Sequence, residues 1–194
     1  FAPSIGGLET IAENLGARLA AAGYEVEVAT EKLAERSFAE YRGIKIHSLE
    51  PRAQAGSNAP QALFQLRQLI ESGAYQSCIL LADPLNWIFW SLEGAAIPAH
   101  TRVLAQPIIN TDGFSKWKDN APFRSRLSRL LKRVAPVIAL STNGAEVRYF
   151  REESIPYVHV PNAVAPVAPT VDFRREYGLP EGVPLILHVA NWWR

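Results

Sequence analysis

GGLETIAENLGARLAAAGYEVEVAT, residues 6–30, combines a pair of glycines with one helix pattern and one strand pattern. Apolar residues recur at helical spacing from Leu8 to Leu19, and Gly23 stands where that helix ends. The residues that follow, up to Thr30, alternate between polar and apolar like a half-buried strand. The stretch therefore predicts one helix–strand turn of an α/β unit.

The same alternation of strands and helices continues as far as residue 160. The further predicted elements are strand Ile44–Ser48, helix Pro60–Ser72, strand Ser77–Leu81, helix Asn86–Ala95, strand Thr101–Ala105, helix Pro122–Val134, strand Pro136–Leu140, helix Asn143–Arg151 and strand Tyr157–Val160. Regular alternation of this kind is typical of a parallel sheet with helices on both faces. We therefore predict an α/β fold.

Residues 161–170 differ from the rest, since three of the 14 prolines fall between Pro161 and Pro169. Such a proline-rich run is typical of an extended, stiff connector. A short helix pattern, Val171–Tyr177, and an apolar strand pattern, Pro184–Ala190, follow it. We predict a domain over 1–160, a linker over 161–170, and the start of a second α/β domain over 171–194.

We also expect the sequence to be a piece of a longer protein. The glycine pair enters a helix with no strand before it, and the last predicted strand has no sheet of its own. With domains of ordinary size, the complete protein is then about twice this long.

Composition gives little indication of a partner. The 20 Lys and Arg residues nearly balance the 19 Asp and Glu residues, so the net charge of +1 does not favour nucleic acid. The single cysteine, Cys78, lies in an apolar run, which predicts a buried thiol with no disulfide and no metal site. No apolar run approaches the roughly 20 residues that cross a bilayer, and we predict a cytoplasmic protein.

The glycine pair is the first candidate site. Gly6 and Gly7 allow a ligand to approach the backbone closely, and the helix after them offers free N–H groups and a positive dipole end. An anion such as phosphate fits both features. The alternative interpretation is a tight turn with no ligand.

Further candidates follow the predicted strands, because ligands of open parallel sheets bind beyond the carboxyl ends of the strands. These candidates are Asp83, Gln106, Asn110, Ser141 and Asn162. Asp83 has a second interpretation of equal weight, since an Asp-Pro pair is also an ordinary helix start. Trp117 lies in a long polar segment, residues 110–120, and is either a platform for a sugar or part of a surface loop.

The predicted helix Pro122–Val134 is basic and amphipathic. Four cations, Arg126, Arg129, Lys132 and Arg133, lie opposite its apolar stripe. They are candidates for a peripheral contact with an anionic membrane, at the inner face of the membrane of a cytoplasmic protein. The alternative is that the stripe packs on the sheet and the cations are solvated.

The chain resembles the group 1, or family 4, retaining glycosyltransferases in four segments. Residues Pro3–Glu9 with the strand up to Thr30 are similar to the opening of these enzymes. Val137–Ser141 is similar to their strand that ends in serine, and Val160–Val164 to their Pro-Asn-Gly-Val segment. Leu187–Ala190 is similar to the first strand of their donor domain. The segments occur in the family's order, within the predicted α/β pattern.

This resemblance implies a GT-B enzyme of two Rossmann-like domains, in which this chain is the N-terminal, acceptor-side half. It implies transfer of a sugar from a nucleotide-diphosphate sugar to a glycan or lipid-linked acceptor, with retention of anomeric configuration, no cofactor and no metal. By the same resemblance, Gly6, Gly7 and Asn162 contact the donor phosphate or sugar. The residues that follow the strands, with Trp117 of the long polar segment, are then the acceptor-side candidates: Asp83, Gln106, Asn110, Ser141 and Trp117.

The resemblance also implies a bacterial type of polysaccharide biosynthesis and an isolated fragment without activity, because most of the donor site lies in the other half. Two other functions stay open: a nucleotide-sugar epimerase of related fold, and a non-catalytic domain that binds a glycan or a membrane. A dinucleotide oxidoreductase is disfavoured, because Gly6-Gly7 does not form the Gly-x-Gly-x-x-Gly pattern.

Overall fold

The computed structural model describes residues 1–3, 6–50, 60–109, 114–115, 117–140, 144–161 and 172–181, except for the side chains at positions 60 and 173. Contacts divide the chain into two units, Phe1–Asn162 and Ala163–Arg194. In the second unit, the described residues include one short helix, α5, Phe173–Glu176. The linker predicted over 161–170 lies almost wholly outside the described residues and stays a prediction.

The first unit has the α/β architecture that the sequence predicts. Its helices are α1 Gly7–Ala21, α2 Pro60–Glu71, α3 Ala121–Arg133 and α4 Ala145–Glu152, with a 3₁₀ helix at Trp87–Leu92. Its strands are β1 Val26–Glu31, β2 Glu40–Tyr41, β3 Ile44–Leu49, β4 Ser77–Ala82, β5 Arg102–Pro107, β6 Val137–Ala139 and β7 Tyr157–His159.

Three parallel ladders connect these strands. β1 pairs with β3, β4 pairs with β5, and β6 pairs with β7. β5 and β6 are also in contact. Because Ala82 is the register partner of Pro107, β4 and β5 end at the same level. Parallel pairing therefore brings the residues that follow these two strands to one edge, as expected for a ligand-binding edge.

The antiparallel strand β2 was not predicted from the sequence. It pairs with β3 through Tyr41 and Ile44, and the two residues between them, Arg42 and Gly43, have φ values of 53° and 75°. Two positive φ values in succession are typical of a type I′ hairpin turn, which usually carries Asn-Gly or Asp-Gly. An Arg-Gly pair gives a weaker sequence signal for such a turn.

The helix predicted over 86–95 is instead the six-residue 3₁₀ helix. The Asn86 side chain caps it by accepting a hydrogen bond from the Ile88 N–H at 3.0 Å. Phe89 and Leu92, three residues apart, are fully buried, which agrees with three residues per turn. Gly94, with φ of 75°, ends the segment in a conformation that few other residues adopt.

Most of the buried side chains form one large apolar cluster around β4, β5, β6, α3 and α4. Its largest fully buried members are Phe89, Leu92, Leu127, Leu131, Val137, Val147, Tyr149 and Phe150. A second, smaller cluster lies under α1 and consists of Phe1, Ala2, Ile44 and Ile46. The core is therefore concentrated away from the glycine pair.

The apolar residues Leu8, Ile11, Leu15 and Leu19, called here the leucine stripe, predict the buried face of α1. The helix packs most tightly through another face. Gly16 is its buried residue, and a Cβ atom there would lie 2.8 Å from Ile44 Cδ1. By contrast, Leu15 is 39% exposed. The absence of a side chain at Gly16 thus allows close contact between α1 and β3, and the leucine stripe stays half-covered. Among the described residues, no helix combines the length and the apolar content that a bilayer-spanning segment needs.

Candidate functional site

The segment that leads into the glycine pair is held at the carboxyl end of β1. Arg36 donates hydrogen bonds to the Ala2 carbonyl at 2.8 Å and to the carbonyl of Glu31, the last residue of β1, at 2.9 Å. It also donates to the Phe1 carbonyl at 3.2 Å. One guanidinium group thus joins Phe1 and Ala2 to Glu31, which is 30 and 29 positions further along the chain. The start of α1 therefore comes to the edge where parallel sheets bind ligands.

The N-terminus of α1 is suited to an anion. Gly6 has an extended backbone, with φ of −167° and ψ of 169°, and its carbonyl accepts hydrogen bonds from the Thr10 N–H at 3.0 Å and hydroxyl at 2.8 Å. Within the described part of the chain, no side chain caps the first N–H groups of the helix. A side chain at Gly7 would meet open space. These N–H groups are therefore accessible to a ligand.

Glu9 is a member of this site that sequence reasoning missed. A Cβ atom at Gly6 would collide with the Glu9 carboxylate, so this acidic group lies directly against the glycine turn. A side chain at Gly6 would therefore need the flexible Glu9 side chain to move aside. A phosphate that binds at the turn has to displace the Glu9 carboxylate, because two anions compete for one positive helix end. The sequence signal that could have identified Glu9 is its position, as an acidic residue in the first turn of α1.

Asp83 and Gln106 lie at the ends of β4 and β5. Gln106 is inside β5, which extends to Pro107, and its register partner is Leu81, two residues before Asp83. Gln106 is only 7% exposed, and its amide makes no hydrogen bond to any part of the chain that the structure describes. Its amide atoms still reach the surface, since among the described residues the buried side-chain polar atom without a partner is Ser91 Oγ, so a ligand can bind the amide.

The Asp83 carboxylate is already used in part by the turn after β4. Its Oδ1 accepts a hydrogen bond from the Leu85 N–H at 2.7 Å, while the capping side chain of the 3₁₀ helix is Asn86. Asp83 thus has the local structural role that the Asp-Pro pair predicts, but it stabilises the turn before the 3₁₀ helix and does not cap the helix itself. Its other oxygen has no hydrogen bond among the described residues, so a contact with a ligand is compatible with this role.

A second acidic residue that sequence reasoning missed, Glu31, lies at the same edge. The indole N–H of Trp87 donates a hydrogen bond to Glu31 Oε1 at 2.9 Å. This contact joins the 3₁₀ helix that follows β4 to the end of β1. Glu31 stands directly after the predicted strand Tyr24–Thr30, so its position after a strand was the available signal.

Trp117 is not available to stack on a sugar. It is 4% exposed, and its ring packs edge-on against Phe114 and Tyr149 at centroid distances of 5.1 and 5.2 Å. Phe123 lies 5.2 Å away on another side. The predicted acceptor contact of Trp117 is corrected accordingly: its aromatic neighbours cover the ring, and it belongs to the core.

Comparison with known families agrees with this geometry. The chain matches the glycosyl transferase 4-like domain over residues 6–163. It belongs to the glycosyl transferase 4-like family. The match begins at the glycine pair and includes every candidate residue named above, and it confirms the resemblance to a family 4 type of glycosyltransferase domain. No curated protein matches the chain.

The basic helix of this glycosyl transferase 4-like domain, α3, does not present four free cations. Arg126 pairs with Glu93, with 2.7 Å between Arg126 Nε and Glu93 Oε1, and its guanidinium carbon lies 4.3 Å from the Trp90 ring centroid. The hydrogen bond from Arg126 lowers the pKa of the Glu93 carboxyl. Arg133 donates to the carbonyls of Leu92 and Ala95. Arg126 and Arg133 therefore fasten α3 to the 3₁₀ helix and the turn after it.

Three further candidate residues, the cysteine and the possible metal ligands complete the set of residues singled out in the sequence. Asn110, Ser141 and Asn162 lie outside the described residues of the glycosyl transferase 4-like domain. Cys78 is partly buried against the large cluster, and burial raises the pKa of its thiol. Across the described ranges, no three histidine, cysteine, aspartate or glutamate side chains gather as a metal-binding group.

Proposed function

We propose that this domain takes part in the transfer of a sugar from a nucleotide-diphosphate sugar to a glycan or lipid-linked acceptor, with retention of anomeric configuration. The observation that carries the proposal is the accessible N-terminus of α1, with Gly6 and Gly7, at the carboxyl edge of the parallel strands. Backbone N–H groups of this kind stabilise the charge that grows on a leaving diphosphate. Membership of the glycosyl transferase 4-like family supports the same role.

The acceptor side of the proposed site is the edge formed by β4 and β5. The unpaired amide of Gln106 and the remaining carboxylate oxygen of Asp83 are suited to hydroxyl groups of a sugar, which donate and accept hydrogen bonds. Asn110 and Ser141 belong to this proposed side as well, and Asn162 to the donor side. The proposed domain layout keeps residues 1–160 on the acceptor side, 161–170 as the linker and 171–194 as the start of the donor domain.

In the proposed reaction, the bond between the anomeric carbon and the diphosphate oxygen breaks, and the diphosphate leaves with the electron pair. The acceptor oxygen bonds to the anomeric carbon on the face that the diphosphate leaves. Its proton goes to the leaving phosphate, so no protein nucleophile is needed. The part of this domain is to hold the acceptor hydroxyl in place and to stabilise the leaving charge.

A peripheral membrane contact is part of the proposal, because lipid-linked acceptors lie at a membrane. Of the four cations predicted for it, Arg129 and Lys132 support the contact best, since both are exposed and neither makes an ion pair within the described ranges. The protein is then cytoplasmic and touches the inner face of the membrane. Arg126 and Arg133 contribute less, because their guanidinium groups are engaged by Glu93 and by backbone carbonyls.

The test uses the protein at its full natural length, a panel of nucleotide sugars, and nucleoside diphosphate release with and without acceptors. The variant Gly7→Asp places a carboxylate in the glycine turn without a clash, because a side chain at Gly7 meets open space. We expect one donor to be consumed and its turnover to fall at least tenfold in the variant.

The matched control is Gly7→Asn, which has nearly the same shape and no charge. It is expected to keep most of the turnover, which separates charge repulsion from a steric effect. Circular dichroism confirms that both variants fold. A folded protein that neither binds nor consumes any donor would overturn the proposal.

A further inference from the structure

An open cavity of about 490 Å³ lies along the outer face of α3, beside the residue that follows α4. Its lining includes Ser128, Arg129 and Lys132 from α3, and Glu153 from the end of α4. Ser128 and Arg129 lie one turn before Lys132, so they face the same side of the helix. The cavity shares no residue with the glycine turn or with Asp83 and Gln106.

The lining of this cavity carries more positive than negative side chains. Arg124 is neutralised within the lining, because its Nη2 lies 2.6 Å from Glu153 Oε1. Lys118, Arg129 and Lys132 also line the cavity, and these three make no side-chain hydrogen bond or ion pair in the described part of the chain. Asp119 offsets one of them. The lining therefore keeps a net positive charge, because the cations Lys118, Arg124, Arg129 and Lys132 outnumber the carboxylates Asp119 and Glu153.

Ser128 is a buried donor in the wall of the cavity. It is 5% exposed, and its hydroxyl makes no hydrogen bond with any described residue. A serine inside a helix ordinarily donates to the carbonyl four residues earlier, which here belongs to Arg124. That carbonyl already accepts a hydrogen bond from the Tyr149 hydroxyl at 2.9 Å, besides the helical N–H. The Ser128 hydroxyl is thus left for a group that enters the cavity.

We propose that this cavity binds a phosphate group, with Arg129, Lys132 and Lys118 as cationic donors and Ser128 as a neutral donor. A phosphate monoester or diphosphate has enough acceptor oxygens to meet several donors at once, and hydrogen bonds between ionised partners are the strong ones. The phosphate belongs either to a lipid headgroup or to a soluble phosphorylated ligand. In the first case the inference deepens the membrane contact proposed above.

The experiment measures binding of pyrophosphate to the chain by calorimetry at constant ionic strength. We expect saturable binding that persists in the Gly7→Asp variant, whose carboxylate repels a diphosphate from the glycine turn, and that is at least tenfold weaker when Arg129→Gln and Lys132→Gln are added. Ser128→Ala is expected to weaken binding about three- to tenfold and to change the melting temperature little, because the Ser128 hydroxyl makes no hydrogen bond with a described residue.

The matched control is Arg148→Gln. Arg148 is an exposed arginine on α4 that does not line the cavity. It is expected to bind pyrophosphate like the unmodified chain. The absence of saturable binding would overturn the proposal. An equal loss in Arg148→Gln and in the double variant would overturn it as well, because only the overall charge of the protein would then matter.

Vesicles distinguish the two sources of the phosphate. Binding to phosphatidic acid vesicles that pyrophosphate competes away, and that the double variant loses, assigns the site to a headgroup. Pyrophosphate binding without vesicle binding assigns it to a soluble ligand. Vesicle binding that pyrophosphate does not reduce contradicts the cavity as the site. Nucleoside diphosphate release in Ser128→Ala reports separately on the proposed transfer reaction, which takes place at other residues.

Discussion

The Tyr75 hydroxyl donates a hydrogen bond of 2.5 Å to the Glu27 carboxylate, and so joins the segment before β4 to β1. The same carboxylate pairs with the Lys45 ammonium at 2.9 Å, and its Oε2 lies 2.6 Å from His47 Nε2. Hydrogen bonds from Lys45, Tyr75 and His47 lower the pKa of Glu27 to about 2. Burial, with Glu27 as a neighbour, raises the pKa of Tyr75. Glu27 is therefore an ionised link between two parallel ladders.

Glu27→Gln is expected to make the stability of the domain less dependent on pH. A carboxyl with a lowered folded-state pKa adds stability above its unfolded value of about 4.5 and loses it as the pH falls towards 2. We expect the free energy of unfolding of the variant to be about 2 kcal/mol lower at pH 7, after allowance for solvent around the exposed Lys45. The difference from the unmodified chain shrinks between about pH 5 and pH 2.

Urea unfolding followed by circular dichroism at several pH values measures this difference. Glu25→Gln is the control, because Glu25 is exposed and makes no ion pair among the described residues. A difference for Glu27→Gln that stays constant from pH 7 to pH 2.5 would contradict the assigned link.

Glu9→Gln is expected to strengthen anion binding at the glycine turn. The Glu9 carboxylate lies against Gly6, where it competes with a ligand phosphate for the positive end of α1. A charge at a helix terminus is worth about 0.3–1 kcal/mol, so affinity for a nucleoside diphosphate should rise about two- to fivefold. Calorimetry on the full-length protein measures it, and Glu25→Gln is again the control. Weaker binding in Glu9→Gln would mean that Glu9 helps to hold the ligand.

Gln106→Leu is expected to separate stability from acceptor binding. The Gln106 side chain is mostly buried and its amide makes no hydrogen bond within the described ranges, so a leucine of similar size should change the melting temperature little. The KM for the acceptor should increase at least fivefold, with a smaller change in the KM for the donor. Gln61→Leu, at an exposed position of α2, controls for the added apolar surface. An unchanged acceptor KM would remove Gln106 from the site.

Trp117→Ala is expected to act on stability alone. The ring fills a cluster with Phe114, Phe123 and Tyr149, and truncation of a buried tryptophan costs about 3–5 kcal/mol. Urea unfolding measures the loss. Trp117→Phe keeps an aromatic ring in the cluster and should recover part of the stability. The two variants, assayed below their unfolding temperatures, should have the same acceptor KM as the unmodified chain, whereas a sugar platform predicts a higher KM for Trp117→Ala.

The sequence predicts the order of the elements well, because helix and strand periods are local properties. The strand predicted at Ser77–Leu81 ends one residue before β4, and the helix predicted at Pro122–Val134 differs from α3 by one residue at each end. The carboxyl edge of the sheet was also predictable, since parallel pairing places Asp83 and Gln106 at one edge whatever the details of packing. The predictions that were wrong concern features that depend on contacts between residues distant in sequence.

Three features show that limit. Trp117 lies in a polar stretch of sequence, and Tyr149 of α4, 32 residues further on, completes the aromatic cluster that makes it a core residue. The cations of α3 were expected to act together, but Arg126 has a partner 33 residues away. The leucine stripe of α1 predicted its buried face, whereas the helix approaches β3 most closely at Gly16. In each case the competing partner is remote in sequence, so no local pattern reports it.

The division of the core into a large and a small apolar cluster bears on how the domain moves. α1 rests on the small cluster, with Gly16 as its buried residue and its leucine stripe half-covered. Local opening is easiest where few apolar contacts are lost, so backbone amides of α1 should exchange with deuterium sooner than those of α3. A diphosphate held by the first N–H groups of α1 would slow that exchange. Donor binding would then be visible as slower deuterium exchange in a helix that otherwise opens more easily than α3.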